Sequence, residues 1–241
     1  DVNVGGSRAL LAAMQRQGIR TLVFSSSATV YGIPDRVPID ENAPVQPNNP
    51  YGHTKAAIEE LLADLAASEA GWRIARLRYF NPVGAHPSGA IGEDPFGTPN
   101  NLFPFITQVA VGRRPALSVF GGDWPTQDGT GVRDYIHVMD LAEGHRAALE
   151  HLLTQGDTLL TLNLGSGQGH SVLEVLRSFE AACGHAIPHQ IVAKRPGDTA
   201  ITVADPSRAQ QVLGWRTQRS LRQICEDGWT WQRANPQGYR P

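Results

Sequence analysis

Residues 21–32 read TLVFSSSATVYG and residues 49–62 read NPYGHTKAAIEELL. The first stretch is short, apolar and β-rich, and it ends in three small polar residues. That pattern suits a buried parallel strand whose carboxyl end opens into a site. The second begins the strongest helix of the chain, Tyr51–Ala70, with Ala57, Ile58, Leu61, Leu62 and Leu65 on one side and Gly71 as its stop. Upstream, residues 3–17 read as a helix closed by Gly18; downstream, Arg73–Phe80 reads as the next strand, and residues 31–50 as a Pro/Gly-rich loop. Helix, strand, loop, helix, strand is the alternation of a doubly wound α/β sheet. Such sheets bind ligands beyond the carboxyl ends of their strands, so SSS at 25–27 and FNP at 80–82 are expected to line the site.

Working outward, the texture changes after residue 82. Residues 83–134 are dense in Gly and Pro, with a short helix near 102–112 and a strand near 117–120. Residues 135–153 read as a helix, Thr158–Leu164 as a strand and Ser171–Cys183 as a helix. The expected organisation is a doubly wound domain over 1–82, rejoined by 135–164, and a smaller mixed α/β substrate domain over 83–134 and 165–241.

With 21 Lys and Arg against 23 Asp and Glu, the chain has no basic field for nucleic acid and no basic face for anionic lipid. An anionic ligand must then be held by a few placed arginines. No apolar run approaches the ~20 residues that span a bilayer. Cys183 and Cys225 lack CxxC spacing, and no HExxH or HxH cluster suggests a metal, so reduced cysteines and no metal are expected. The first residues, DVNVGGSRALLAAM, enter a helical pattern directly and carry no signal-peptide features, which suggests a fragment.

Tyr51 and Lys55 stand four apart on a helix and so share a face. A free tyrosine has a pKa near ~10 and is a poor base at neutral pH. A nearby ammonium favours the phenolate, and a cationic nicotinamide ring would do so further. Bringing the phenol to ~7 requires about 4 kcal/mol. Ser27, at the mouth of the preceding strand, is placed to share a substrate hydroxyl proton. Serine, tyrosine and lysine so arranged handle proton transfer during hydride exchange at a secondary alcohol.

SSSATVYG, PYGHTK, RYFNPVGAHPSG, GEDPFGTPNNL, DGTGVRDYIHVMDLAEGH and NPQGY together resemble the UDP-galactose/UDP-glucose 4-epimerases of the extended short-chain dehydrogenase/reductase superfamily. The resemblance covers essentially the whole chain. It implies an NAD(P)-binding Rossmann-like domain, incomplete at its N-terminus, and NAD as cofactor. It implies Tyr51 as general base for the sugar 4-hydroxyl, Ser27 binding that oxygen, Lys55 tuning Tyr51 and bonding the nicotinamide ribose, and Phe80 near the cofactor. For the substrate it implies Asn81, Arg133 and Arg195 on the diphosphate, Asp198 on the ribose, and Asn101, Leu102, Ser118, Val119 and Phe120 around the uridine. Thr202 falls where relatives differ in bulk next to the sugar 2-substituent, so an N-acetyl sugar has room. It further implies a cytoplasmic homodimer of galactose metabolism, built on the helices at 3–17 and 51–69. The family carries roughly 100 more residues with its glycine-rich phosphate loop ahead of these motifs, so this piece alone is expected to be inactive. Val2 stands where many relatives have a cofactor-contacting Asn.

The segment LNLGSGQGHSV at 162–172 looks like a glycine-rich phosphate loop, but no acidic residue ends a second strand ~20 residues later. It is assigned to packing and tight turns. Two rival functions remain: another nucleotide-sugar enzyme of the superfamily, such as a dehydratase or decarboxylase, or a non-catalytic sugar-nucleotide binder. Ala28 and Thr29 fill the places where dehydratases carry an acidic pair.

Overall fold

The computed structural model describes residues 2–156 and 159–239. In chain order the elements are α1 (Val2–Arg16), β1 (Thr21–Ser27), α2 (Pro50–Ser68), β2 (Arg73–Tyr79), β3 (Asn81–Val83), α3 (Leu102–Ala110), β4 (Leu117–Phe120) and β5 (Val132–His137). There follow α4 (Val138–Gln155), β6 (Leu159–Leu164), β7 (Gly169–Ser171), α5 (Val172–Cys183), β8 (His189–Val192), β9 (Ile201–Thr202), α6 (Ser207–Leu213) and α7 (Leu221–Ala234). They divide into two compact units: residues 1–80, 142–165 and 204–216, and residues 81–141, 166–203 and 217–241.

In the first unit, β1, β2 and β6 form a parallel sheet in the order β1-β2-β6. Its register places Ser27 beside Tyr79, and Tyr79 beside Leu164, so three carboxyl ends finish together. The residue before each forms a second row, Ser26, Arg78 and Asn163. Leu11 and Met14 of α1 pack with Ile58 and Leu62 of α2, Trp72 and Ile74. Each fully buried apolar side chain of this kind contributes about 1.5–3 kcal/mol.

In the second unit, β5 pairs with β3 and β9 in parallel and with β7 antiparallel, while β4 and β8 form a separate parallel pair. Phe103, Ile106, Val119, Tyr135, Val175, Phe179 and Ile224 fill its core. Ser171 and Glu174 make a reciprocal capping box at the start of α5, and Gly184 closes that helix in the left-handed conformation.

Two boundaries differ from the sequence reading. The helix expected over 135–153 begins only at Val138, because Tyr135, Ile136 and His137 are the buried end of β5. Residues 135–141 therefore cluster with the second unit, whereas 204–216 cluster with the first, where Ala204 bridges to Ile39 and α6 lies against β6. Thr158, the expected start of β6, lies outside the described residues.

The glycine-rich segment does cradle an anion, and that anion is a side chain of the same unit. The backbone N–H groups of Ser166 and Gly167 donate to the Asp134 carboxylate at 2.7 and 2.9 Å, and the Ser166 hydroxyl adds a bond at 2.6 Å. Asp134 is fully buried. The loop thus satisfies a buried carboxyl group of its own unit.

Candidate active site

Helix α2 starts where it does because Asn49 caps it, accepting from the Gly52 N–H at 2.9 Å, with Pro50 at the first helical position. Tyr51 therefore sits in the first turn. Gly52 lets that turn approach the short 3₁₀ turn Ala28–Tyr31 that follows β1: a Cβ there would lie 2.7 Å from the Thr29 carbonyl oxygen and 2.9 Å from the Pro47 Cβ. This close approach brings the phenol to the serine-bearing strand end.

The Tyr51 phenol lies near enough to Ser27 for that hydroxyl to favour its ionised form. Ser27 itself is buried and accepts from the Thr29 N–H at 3.3 Å and the Thr29 hydroxyl at 3.0 Å. Lys55, one turn along α2, donates from Nζ to the Ser25 carbonyl oxygen at 2.8 Å. Its Nζ lies 5.0 Å from the centre of the Phe24 ring and 5.6 Å from that of Tyr51. Ser25 also pairs with His145 Nε2 at 3.0 Å through its hydroxyl. Serine, tyrosine and lysine thus converge on the end of β1.

Burial governs the proton affinity of both titratable groups. Burial, with the nearby Tyr79, pushes the Tyr51 phenol above its ordinary value, and the Ser27 hydroxyl only partly offsets this. Burial also lowers the Lys55 ammonium. The cause is the same for both: burial penalises the charged form of each group. Phe80, expected near the cofactor, is buried in a cluster with Ala28, Val30, Tyr31, Ile39 and Ala204.

The second unit gathers Phe120, Arg133, Arg195, Asp198 and Thr202. The Arg195 guanidinium bonds Asp198 at 3.0 Å and lies 4.6 Å from the centre of the Phe120 ring. Arg133 stands beside Thr202 in the β5–β9 register and feels the charges of Asp198 and Arg195. It donates to the Val132 carbonyl at 2.9 Å, and burial lowers its pKa. Thr202 exchanges a hydroxyl bond of 2.8 Å with Thr199. Asn81 opposes Tyr135 in the β3–β5 register. Asn101 and Leu102 stand at the start of α3, with Asn101 near enough to Glu93 to favour its ionised form against the effect of burial. Val119 faces the core, while its neighbours Ser118 and Phe120 point the other way along β4.

Sequence reading missed one polar group. Glu59 is buried on α2, two turns from Tyr51, and bonds Ser26, Arg76 and Arg78. Arg78 continues to Tyr31 and Tyr31 to Asn163. Burial alone would raise the Glu59 carboxyl, but the bonds and charge of Arg78, with Ser26 and Arg76, hold it below the usual range. The available signal was RIARLRY itself, with Arg76 and Arg78 in the interior of an apolar strand, since a buried charge requires a partner.

The NAD dependent epimerase/dehydratase family matches residues 1–165. A UDP-glucose 4-epimerase of Bacillus subtilis is 53% identical over 240 residues, 99% of this chain and 70% of that protein. One from Mus musculus is 53% identical over 239 residues, 99% of this chain and 69% of that protein. The chain belongs to the UDP-glucose 4-epimerase family. The family's structures agree with its fold. A UDP-glucose 4-epimerase of Stenotrophomonas maltophila, with bound NAD and formylated UDP-arabinopyranose, superposes with a TM-score of 0.95 at 55% identity, over 97% of this chain and 69% of that one. Another from Bifidobacterium longum, in complex with NAD+ and UDP, gives 0.93 at 46% identity over 98% of this chain and 70% of that one. The sheet β1-β2-β6 and its flanking helices are thus the Rossmann-like α/β fold of this epimerase family. Among the described residues no helix is long and apolar enough to cross a membrane.

Proposed function

We propose that this chain is the catalytic and sugar-nucleotide-binding part of an NAD-dependent UDP-glucose 4-epimerase, which interconverts UDP-galactose and UDP-glucose through a 4-keto sugar. The observation that carries the reading is the convergence of Ser27, Tyr51 and Lys55 on one strand end, in a chain 53% identical to such epimerases. The residues suit the cofactor. Tyr51, 45% exposed, and Lys55 stand by the carboxyl ends of parallel strands, where open α/β sheets bind ligands. Lys55 gives one N–H to Ser25 and keeps donors for a ribose hydroxyl. When bound, NAD supplies the hydride acceptor for C4 and a cationic ring whose field favours the tyrosine phenolate.

Tyr51 takes the proton of the sugar 4-hydroxyl as the C4–O bond becomes a carbonyl, and returns it to that oxygen after the hexose presents its other face. Ser27 holds the oxygen throughout. Arg133, Arg195 and Asn81 grip the diphosphate, Asp198 the ribose, and Asn101, Leu102 and Ser118–Phe120 the uridine. Guanidinium forks suit phosphate oxygens, and a firm hold there leaves the hexose free to turn. Because Arg195 already bonds Asp198 and stacks on Phe120, its guanidinium is oriented before ligand arrives. The enzyme works in this reading as a cytoplasmic homodimer. Support comes from the free cysteines Cys183 and Cys225 and from the exposed Val4 and Leu10 on α1, a helix that packs against α2.

The test is conversion of UDP-galactose to UDP-glucose by the full-length enzyme and its Tyr51→Phe variant. Turnover should fall by about 100-fold or more, the usual weight of a general base, with UDP affinity nearly unchanged. Equal loss of both would count against the role of Tyr51.

A further inference from the structure

We propose that Glu59 is a positioning residue of this site, the group that sets the helix carrying Tyr51 and Lys55 in register with the strand carrying Ser27. The inference rests on the epimerase reading given above. Tyr51, Lys55 and Glu59 are spaced four apart on α2, so they form one stripe along the helix. The first two reach the substrate end of β1. The third reaches the row one residue deeper, where Ser26, Arg78 and Asn163 stand side by side on β1, β2 and β6.

The contacts are specific and complete. Glu59 Oε1 accepts from the Ser26 hydroxyl at 2.5 Å and from Arg78 Nε at 2.9 Å, and Oε2 accepts from Arg78 Nη2 at 2.5 Å. Arg76, two residues earlier on β2, donates to the Glu59 backbone carbonyl at 3.0 Å, so the strand holds both the side chain and the main chain of the helix. Arg78 Nη1 donates to the Tyr31 hydroxyl at 3.1 Å, and that hydroxyl donates to Asn163 Oδ1 at 2.7 Å. The chain of bonds therefore ties α2, all three strands and the turn after β1 to one another.

Stability does not explain such a group. A buried ion pair repays its desolvation poorly, and well-packed apolar residues of similar volume often serve as well. What an apolar patch lacks is direction. Apolar side chains tolerate sliding, whereas a carboxylate satisfied by fixed donors on two adjacent strands accepts one setting of the helix. That setting matters here because Ser27 is the residue after Ser26, and Tyr51 must meet the same substrate oxygen. Misplacement by an ångström can cost about 100-fold in rate.

The experiment uses the full-length, NAD-loaded enzyme with UDP-galactose and compares Glu59→Gln, Glu59→Asp and the paired Glu59→Met/Arg78→Met variant. Tm, KM, kcat and the pH dependence of kcat are measured for each. The paired variant should keep a Tm close to the parent and an unchanged KM, while kcat falls by about 100-fold. The acid limb of its kcat profile should move to higher pH, as Tyr51 loses its placement beside Ser27 and Lys55. Glu59→Asp keeps the charge and should recover part of the rate that Glu59→Gln loses. A folded paired variant with the parent's kcat and pH profile would overturn the proposal. If the pair does not fold, Glu59→Gln decides: parental kcat and pH profile overturn it. Losses in kcat that follow Tm alone would assign Glu59 to structure and overturn it too. An unaltered enzyme unable to convert UDP-galactose would remove the epimerase reading, and this role with it.

Discussion

The Tyr51 phenol, proposed above as the general base, sits where its protonated form is favoured. Burial and Tyr79 raise the Tyr51 phenol, and Lys55 bonds the Ser25 carbonyl. In the proposed mechanism the positive charge of the cofactor's ring would act in the opposite direction and favour the phenolate. Thr202 carries a second consequence at this scale. Its side chain is short and bonds Thr199 at 2.8 Å, so it carries little bulk to the position that the resemblance assigns to the sugar 2-substituent. The full-length enzyme should interconvert UDP-GlcNAc and UDP-GalNAc as well, and Thr202→Tyr should lower kcat/KM for those sugars by about 10- to 100-fold while sparing UDP-galactose. Undetectable turnover of UDP-GlcNAc by the unaltered enzyme would end that expectation.

Among the elements, the first turn of α2 decides the geometry. Asn49, Pro50 and Gly52 start the helix, and the absent side chain of Gly52 permits the approach to Thr29. With a backbone oxygen only 2.7 Å from the new methyl, Gly52→Ala must push the turn away from β1. The helix propensity of Ala, worth about 1 kcal/mol over Gly, works in the opposite direction. The expected result is a fall in kcat larger than any change in Tm. Steady-state kinetics alongside thermal melts check it, and parental kcat in Gly52→Ala would show that the turn has slack. Most elements were legible because their periodicity was local: α2 through its apolar side and β1 through its continuous apolar run. The strand β5 was not legible. In VRDYIH polar and apolar residues mix: Arg133 turns back to the adjacent Val132 carbonyl and reaches that of Ala200, while Asp134 is held by the N–H groups of Ser166 and Gly167.

For the molecule as a whole, stability should depend on pH through His137. Its Nδ1 accepts the Met139 N–H at 3.0 Å, so the proton resides on Nε2, which faces Asp227 at 3.1 Å. Burial pulls the imidazole below its ordinary value of 6.5, against the pull of Asp227. The native state thus holds His137 neutral where the unfolded chain would protonate it. Its stability is intact above 6.5 and is lost as pH falls from there through the lower native value. Denaturant unfolding at pH 7.5 and 5.5 should show the decline, and His137→Gln should reduce it; an equal decline in that variant would exclude His137 as the cause.

By itself the sequence determined the alternation of helices and strands and the near-neutral charge, and it singled out Ser27, Tyr51 and Lys55 as candidates, through periodicity, composition and spacing together with the family resemblance. Tertiary structure decided the rest. It set the row Ser26–Arg78–Asn163 and the carboxylate of Glu59 that reads it, the seat of Asp134 in the glycine-rich loop, and the burial of Phe80. It also set the proton affinity of Tyr51. These depend on strand register and on desolvation, which exist only once segments far apart in the chain have come together.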